Sequence, residues 1–144
     1  MYLISSCLVG INCRYNQTST LNSKLKQMVD QGMAIAVCPE VMAGMATPRT
    51  SCEIQTQLGV IKVVDKSGHD YTHLFTEAAQ KTLEICKSNN IKTAILQSRS
   101  PSCGYGKIYD GSFTGKLVDG NGITAQLLHN NGIEIFTDQN CSDI

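Results

Sequence analysis

The stretch Met33-Ala34-Ile35-Ala36-Val37-Cys38 decides the fold. Its continuous apolar run is too short for an ordinary helix, and it ends on a thiol rather than on a turn residue. Before it, Leu21, Leu25, Met28 and Val29 are spaced as on one face of a helix, which Gly32 ends. Further back, Tyr2-Leu3-Ile4-Ser5 is a short β-prone run. Strand, helix and buried strand in this order form a β-α-β unit, whose second strand is covered on both faces. The same alternation recurs downstream. Asp70 is placed to cap a helix reaching about Ser88, with Leu74, Phe75, Ala78, Ala79, Leu83 and Cys86 on one face. Thr93-Ala94-Ile95-Leu96 then reads as a buried strand, Ile123 to His129 as a last helix and Ile133 to Phe136 as a last strand. Glu53 to Gln57 and Val60 to Val64, joined by Leu58-Gly59, read as a β-hairpin inserted at the sheet edge. The fold class expected is α/β: a single-domain, Rossmann-like, three-layer fold with a mostly parallel, four-stranded sheet in the order 2-1-3-4. One domain should span 1–144, with 138–144 a mobile tail.

Composition narrows the function classes. Twelve Lys and Arg balance twelve Asp and Glu, so no net field draws the chain to a phosphate backbone, and no extended nucleic-acid surface is expected. No apolar run approaches the roughly 20 residues that cross a bilayer, and the first residues have no basic leader, so the expected setting is cytoplasmic, with no membrane partner. Seven cysteines, at 7, 13, 38, 52, 86, 103 and 141, are many for a reducing compartment. Their spacings form no paired knuckles, so any site must gather thiols from distant parts of the chain.

Three of these thiols share a position. Cys7 closely follows the first strand, Cys38 directly follows the second, and Cys103 lies in the Gly- and Ser-rich segment, 97–122, which reads as a functional loop after the third core strand. Open parallel sheets bind ligands at the carboxyl ends of their strands, so these cysteines can converge there. Three thiolates suit a 4Fe–4S cluster with one open iron. Adding Cys13 would complete four ligands for a closed cluster or for structural zinc, and a redox thiol pair is a third possibility, without a Cys-x-x-Cys motif to support it.

Several motifs together carry a resemblance. Ser5-Ser6-Cys7-Leu8-Val9-Gly10 with Asn12-Cys13-Arg14-Tyr15, Val37-Cys38-Pro39-Glu40 with Thr47-Pro48-Arg49, and Arg99-Ser100-Pro101-Ser102-Cys103-Gly104 with Ile108-Tyr109-Asp110-Gly111 resemble the thiouracil desulfidase family, formerly a domain-of-unknown-function family. The resemblance covers nearly the whole chain. It implies a 4Fe–4S cluster held by Cys7, Cys38 and Cys103, with one open iron that takes the sulfur of a small-molecule thiolated base, and Glu40 and Ser100 as catalytic residues. The implied reaction is a non-redox, hydrolase-like desulfuration of a 4-thiouracil-like pyrimidine, C=S becoming C=O with release of hydrogen sulfide. Another thioamide desulfidase or a sulfur transferase of the family, or a structural zinc-binding module, are the alternatives.

The chemistry needs a sulfur acceptor, an activated water and donors for a developing negative charge. Glu40 could accept the water's proton, with burial raising its pKa from about 4.3. Its plainer role is a cap or an ion pair with Arg49. Ser100 could orient the water or the pyrimidine, although a hydroxyl before Pro101 commonly caps a turn. Arg49 and Arg99 could hold a carbonyl or phosphate, or simply pair at the surface. Cys52, Cys86 and Cys141 are expected to stand outside the ligand set, and His69, His73 and His129 fit no metal-ligand spacing.

Overall fold

A computed structural model describes residues 1–11, 22–45 and 50–141. β1 (Tyr2–Ser5), α1 (Ser23–Asp30) and β2 (Ala34–Val37) form the first β-α-β unit, with Leu3 opposite Ile35 and Ser5 opposite Val37 in parallel register. Asn22 starts α1 by accepting the Leu25 N–H at 3.2 Å, which satisfies one of the helix's orphan donors. β2 runs into Cys38 and the single helical turn α2 (Pro39–Met42). Proline at the first helical position suits that sharp change, because its missing N–H has no helical partner to lose.

The hairpin strands β3 (Cys52–Gln57) and β4 (Val60–Asp65) are antiparallel. Leu58 and Gly59 both have positive φ, 51° and 78°, as a two-residue hairpin turn requires. α3 (Thr72–Ser88) follows, with the Asp70 carboxylate accepting the Thr72 N–H at 2.8 Å. The remaining elements are β5 (Thr93–Leu96), β6 (Lys107–Tyr109), β7 (Leu117–Asp119), α4 (Ile123–Asn130) and β8 (Glu134–Thr137). The main sheet has the order β2-β1-β5-β8, all parallel, which is 2-1-3-4 when its own four strands are counted along the chain.

Successive strand residues point to opposite faces, and the two faces hold separate cores. Leu3, Ala94, Leu96 and Ile135 pack with Leu83, Cys86 and Leu128 of α3 and α4, whereas Ile4 and Ile95 pack with Leu25 of α1. Burying a side chain of Leu25's size contributes about 1.5–3 kcal/mol. Among the described residues no helix is long and apolar enough to cross a membrane.

Two expectations need correction, on the hairpin and on the segment 97–122. The β3–β4 hairpin does not extend the main sheet at its edge but forms a sheet of its own. Its inner residues Cys52, Ile54 and Val63 bury against Phe75 of α3 and Ile108 of β6, so side-chain packing rather than an edge ladder holds it. The segment 97–122 is not all loop, since β6 and β7 pair within it. Each has three residues, and Ile108 alone is fully buried, too little for alternation to show in the sequence. After β8 the chain stays packed as far as Cys141. Asn140 accepts the Thr137 N–H at 2.7 Å in a closing turn, and Cys141 is buried beside α1. Residues 142–144 lie outside the described residues.

Candidate active site

All four strands of the main sheet open at their carboxyl ends into one cavity of about 490 Å³. Ser5 to Cys7 follow from β1, Val37 to Glu40 from β2, Gln97 to Pro101 and Cys103 from β5, and Asp138 and Gln139 from β8. The other wall comes from Cys52 and Glu53 of β3, Phe75 of α3, and Tyr109, Phe113 and Gly115 around the β6–β7 turn.

Each strand-end cysteine is fixed by a different local device. Cys7 sits in a 3-10 turn, Ser6–Val9, that Gly10 closes at φ 91°. Its thiol donates to Gln97 Oε1 at 3.3 Å, while the Gln97 N–H donates to the Ser5 hydroxyl at 3.0 Å, tying β1 to β5 at the cavity floor. Cys38 occupies the position just before α2 and is half-buried. Cys103 is 3% exposed, in a loop clamped to the start of α4. There the Thr124 and Ala125 N–H groups donate to the Ser102 carbonyl at 2.9 and 3.1 Å, and the Ser102 and Thr124 hydroxyls meet at 2.8 Å. Gly122 permits this approach, because a Cβ there would lie 2.5 Å from the Ser102 carbonyl.

Ser100 has a structural job at this loop. Its hydroxyl oxygen accepts the N–H groups of Ser102 and Cys103, each at 3.0 Å. The preceding Arg99 has φ 66°, so the loop doubles back through a conformation that costs a bulky residue about 1–2 kcal/mol.

The electrostatics disfavour a free thiolate at Cys103. Burial, reinforced by the Glu40 carboxylate and Cys38, pushes its thiol up to about 12, against the opposing hydrogen bonds of Ser5 and Ser102. A metal ion bound at this sulfur would have to displace that proton.

The donor set also indicates the kind of group the cavity fits. Among the described residues, no three His, Cys, Asp or Glu side chains are gathered closely enough to share one metal ion. Cys7, Cys38 and Cys103 instead stand around a common space. A 4Fe–4S cluster presents separate irons to separate thiolates, so soft ligands spaced around a cavity fit it.

Of the residues singled out from the sequence, Cys7, Cys38, Cys103, Glu40, Ser100 and Arg99 all line this cavity. Cys13 and Arg49 lie outside the described residues. Cys86 is in the core between α3 and α4, and Cys141 is buried beside α1. The histidines are elsewhere: His69 meets Asp65 at 3.1 Å, His73 lies 4.0 Å from Glu77, and His129 Nδ1 is 3.3 Å from the Tyr105 hydroxyl. Sequence reading missed Gln97, Cys52, Glu53 and Phe113 as cavity residues. Gln97 was within reach of the strand-end rule, since it directly follows β5. The others come from hairpins whose position over the sheet no local pattern announces.

A parallel sheet gathering thiols and a carboxylate at its strand ends places this chain among the α/β proteins that bind their ligands at that end. The chain belongs to the 2-thiouracil desulfurase family, whose family model matches residues 2–140. Uncharacterized protein YbbK of Bacillus subtilis (strain 168) is 42% identical over 150 residues, covering 100% of this chain and 99% of the relative. The solved structure of a 4Fe–4S-dependent thiouracil desulfidase, TudS, matches at 37% identity with a TM-score of 0.90, covering 99% of this chain and 93% of that one. The family resemblance and the fold class read from the sequence are both borne out.

Proposed function

We propose that this chain is an iron–sulfur-dependent desulfidase that converts the C=S group of a 4-thiouracil-like pyrimidine to C=O and releases hydrogen sulfide, with no net redox change. The observation that carries this reading is the meeting of Cys7, Cys38, Cys103 and Glu40 in one strand-end cavity, in a chain that shares fold and family with a desulfidase. Cys7, Cys38 and Cys103 would hold a 4Fe–4S cluster. A cluster held by only these three cysteines would supply a soft Lewis acid for the departing sulfur.

The chain's own residues account for the rest. Glu40 accepts a proton from water as its oxygen bonds to the thiocarbonyl carbon. The C–S bond then breaks and the carbon keeps the new oxygen as C=O, while the departing sulfur takes both of the water's protons, one returned by Glu40 and one from the new hydroxyl, so that water and thiouracil give uracil and hydrogen sulfide. Ser100 accepts two backbone N–H groups, which leaves its own proton to donate towards the water or the ring. A reducing cytoplasmic setting would suit the thiolates.

Anaerobic purification with iron, acid-labile sulfide and zinc analysis, followed by incubation with 4-thiouracil, tests the reading. About four irons and four sulfides per chain, with loss of the thiocarbonyl absorbance and release of sulfide, are expected. Stoichiometric zinc, or a full cluster that leaves 4-thiouracil unchanged, would overturn it.

A further inference from the structure

Glu53 is a buried acid, 8% exposed, between the buried residues Cys52 and Ile54 of β3. A carboxylate in such a place needs donors. It finds them about 60 residues further along the chain: its Oε1 accepts the N–H of Gly111 at 3.0 Å and of Phe113 at 3.1 Å. The neighbouring Gln55 adds a second tie, donating from Nε2 to the Gly111 carbonyl at 2.9 Å. Gly111 alone suits the contact, because its φ is 91° and a Cβ would lie 2.7 Å from the Ile54 carbonyl. Beyond it, Asp110 accepts the Ser112 N–H at 2.9 Å. The turn between β6 and β7 is thereby fastened to β3.

What this fastening holds is an aromatic ring in an unusual state. Phe113 has φ 60°, a left-handed conformation that bulky side chains rarely adopt. It is half-buried, it belongs to none of the three apolar clusters formed by the described residues, and it lines the strand-end cavity. Among the described residues, core packing does not account for this ring, and a surface turn at this φ would ordinarily carry Gly or Asn. The described surroundings of Phe113 include the cavity. Strained backbone held in place by over-determined contacts is a feature of ligand clamps.

We infer that Phe113 is the wall against which the substrate's planar pyrimidine stacks, and that Glu53 is a positioning residue that holds Phe113 there. This rests on the desulfidase reading for the identity of the ring. A flat, polarisable heterocycle gains from an aromatic face whatever its exocyclic atom, so Phe113 selects the ring class while the strand-end residues act on the sulfur.

The test is calorimetric binding of uracil, the sulfur-free product ring, and of 4-thiouracil to the anaerobic, cluster-loaded protein. Phe113→Ala should weaken uracil binding about 5- to 150-fold, the range for removing one base–aromatic stack. Phe113→Tyr should bind like the wild type, whereas Phe113→Leu, which keeps apolar bulk without an aromatic face, should stay weak. Glu53→Gln should weaken binding in the wild-type background and cost little more in Phe113→Ala, because both act through one ring. Equal binding by the Leu and Tyr variants, unchanged binding by Phe113→Ala, or fully additive losses with Glu53→Gln would overturn the inference and leave the desulfidase reading standing. A wild-type protein that binds neither ligand would overturn both.

Discussion

The hydroxyl of Ser100 accepts the backbone N–H of Cys103 at 3.0 Å, so a residue proposed for catalysis also sets the loop that carries a proposed cluster ligand. Because the same oxygen accepts the Ser102 N–H, Ser100→Ala would leave two loop donors without that partner. A destabilisation of about 1–2 kcal/mol is expected, together with lower iron retention through gel filtration, and Ser100→Thr should restore both. Denaturant unfolding and iron per chain check this. An alanine variant with wild-type stability and iron would remove the positioning role.

The ligand set is tested one thiol at a time. Cys7→Ser, Cys38→Ser and Cys103→Ser are each expected to lose most of the cluster, because all three face one cavity. Cys52→Ser should keep its iron. Its thiol donates to the Thr50 carbonyl at 3.7 Å, a bond that a hydroxyl can replace. Cys86→Ala should also keep iron, since Cys86 is fully buried between α3 and α4 and burial pushes its thiol up to about 11. Cys13→Ser discriminates: loss of the cluster there, with one of the three named cysteines dispensable, contradicts the assignment.

Glu40→Gln separates holding the cluster from using it. The amide keeps the side chain's size but cannot take a proton as a carboxylate does. Iron content should be unchanged, and turnover of 4-thiouracil at equal cluster content should fall roughly 10²–10⁴-fold. A variant within a few-fold of wild type would end the general-base assignment.

The β-α-β framework could be read from the sequence because buried parallel strands are continuous apolar runs, and the helices between them repeat at helical spacing. The gathering of the three cysteines around one cavity was legible for a related reason: Cys38 directly follows such a run, so topology alone carries it to the sheet's carboxyl end. What covers the cavity was not legible. Glu53 meets Gly111 and Phe113 across a long sequence separation, and Cys52 reaches the cavity because its hairpin packs on Phe75 rather than on the main sheet. Those placements arise from tertiary contacts between short segments, and no periodicity within either segment encodes them. The packing of Cys141 was not legible either. Its polar neighbours resemble a loose end, yet they form the turn that brings its thiol against α1.

Asp65 gives the fold an acid-sensitive point. Burial opposes its charge, but hydrogen bonds from His69 and Ser67 outweigh this and hold its carboxyl below the ordinary range. A carboxyl with a depressed folded pKa stabilises the fold above its unfolded pKa of about 3.9, and that contribution is lost as pH falls through the lower folded value. The wild type should therefore lose stability below about pH 4. Asp65→Asn should be less stable at neutral pH, with the difference narrowing as the medium becomes acidic. Urea midpoints measured against pH for both proteins check this, and a constant difference down to pH 2 speaks against the assignment.

The most direct measurement of the central claim is anaerobic turnover of 4-thiouracil in ¹⁸O-labelled water, without added reductant or oxidant, with uracil followed by mass spectrometry and sulfide counted in parallel. The desulfidase reading predicts one labelled oxygen and one hydrogen sulfide for each uracil formed, from cluster-loaded protein alone. Uracil formed without the label, a requirement for an external redox partner, or no uracil from fully loaded protein would contradict it.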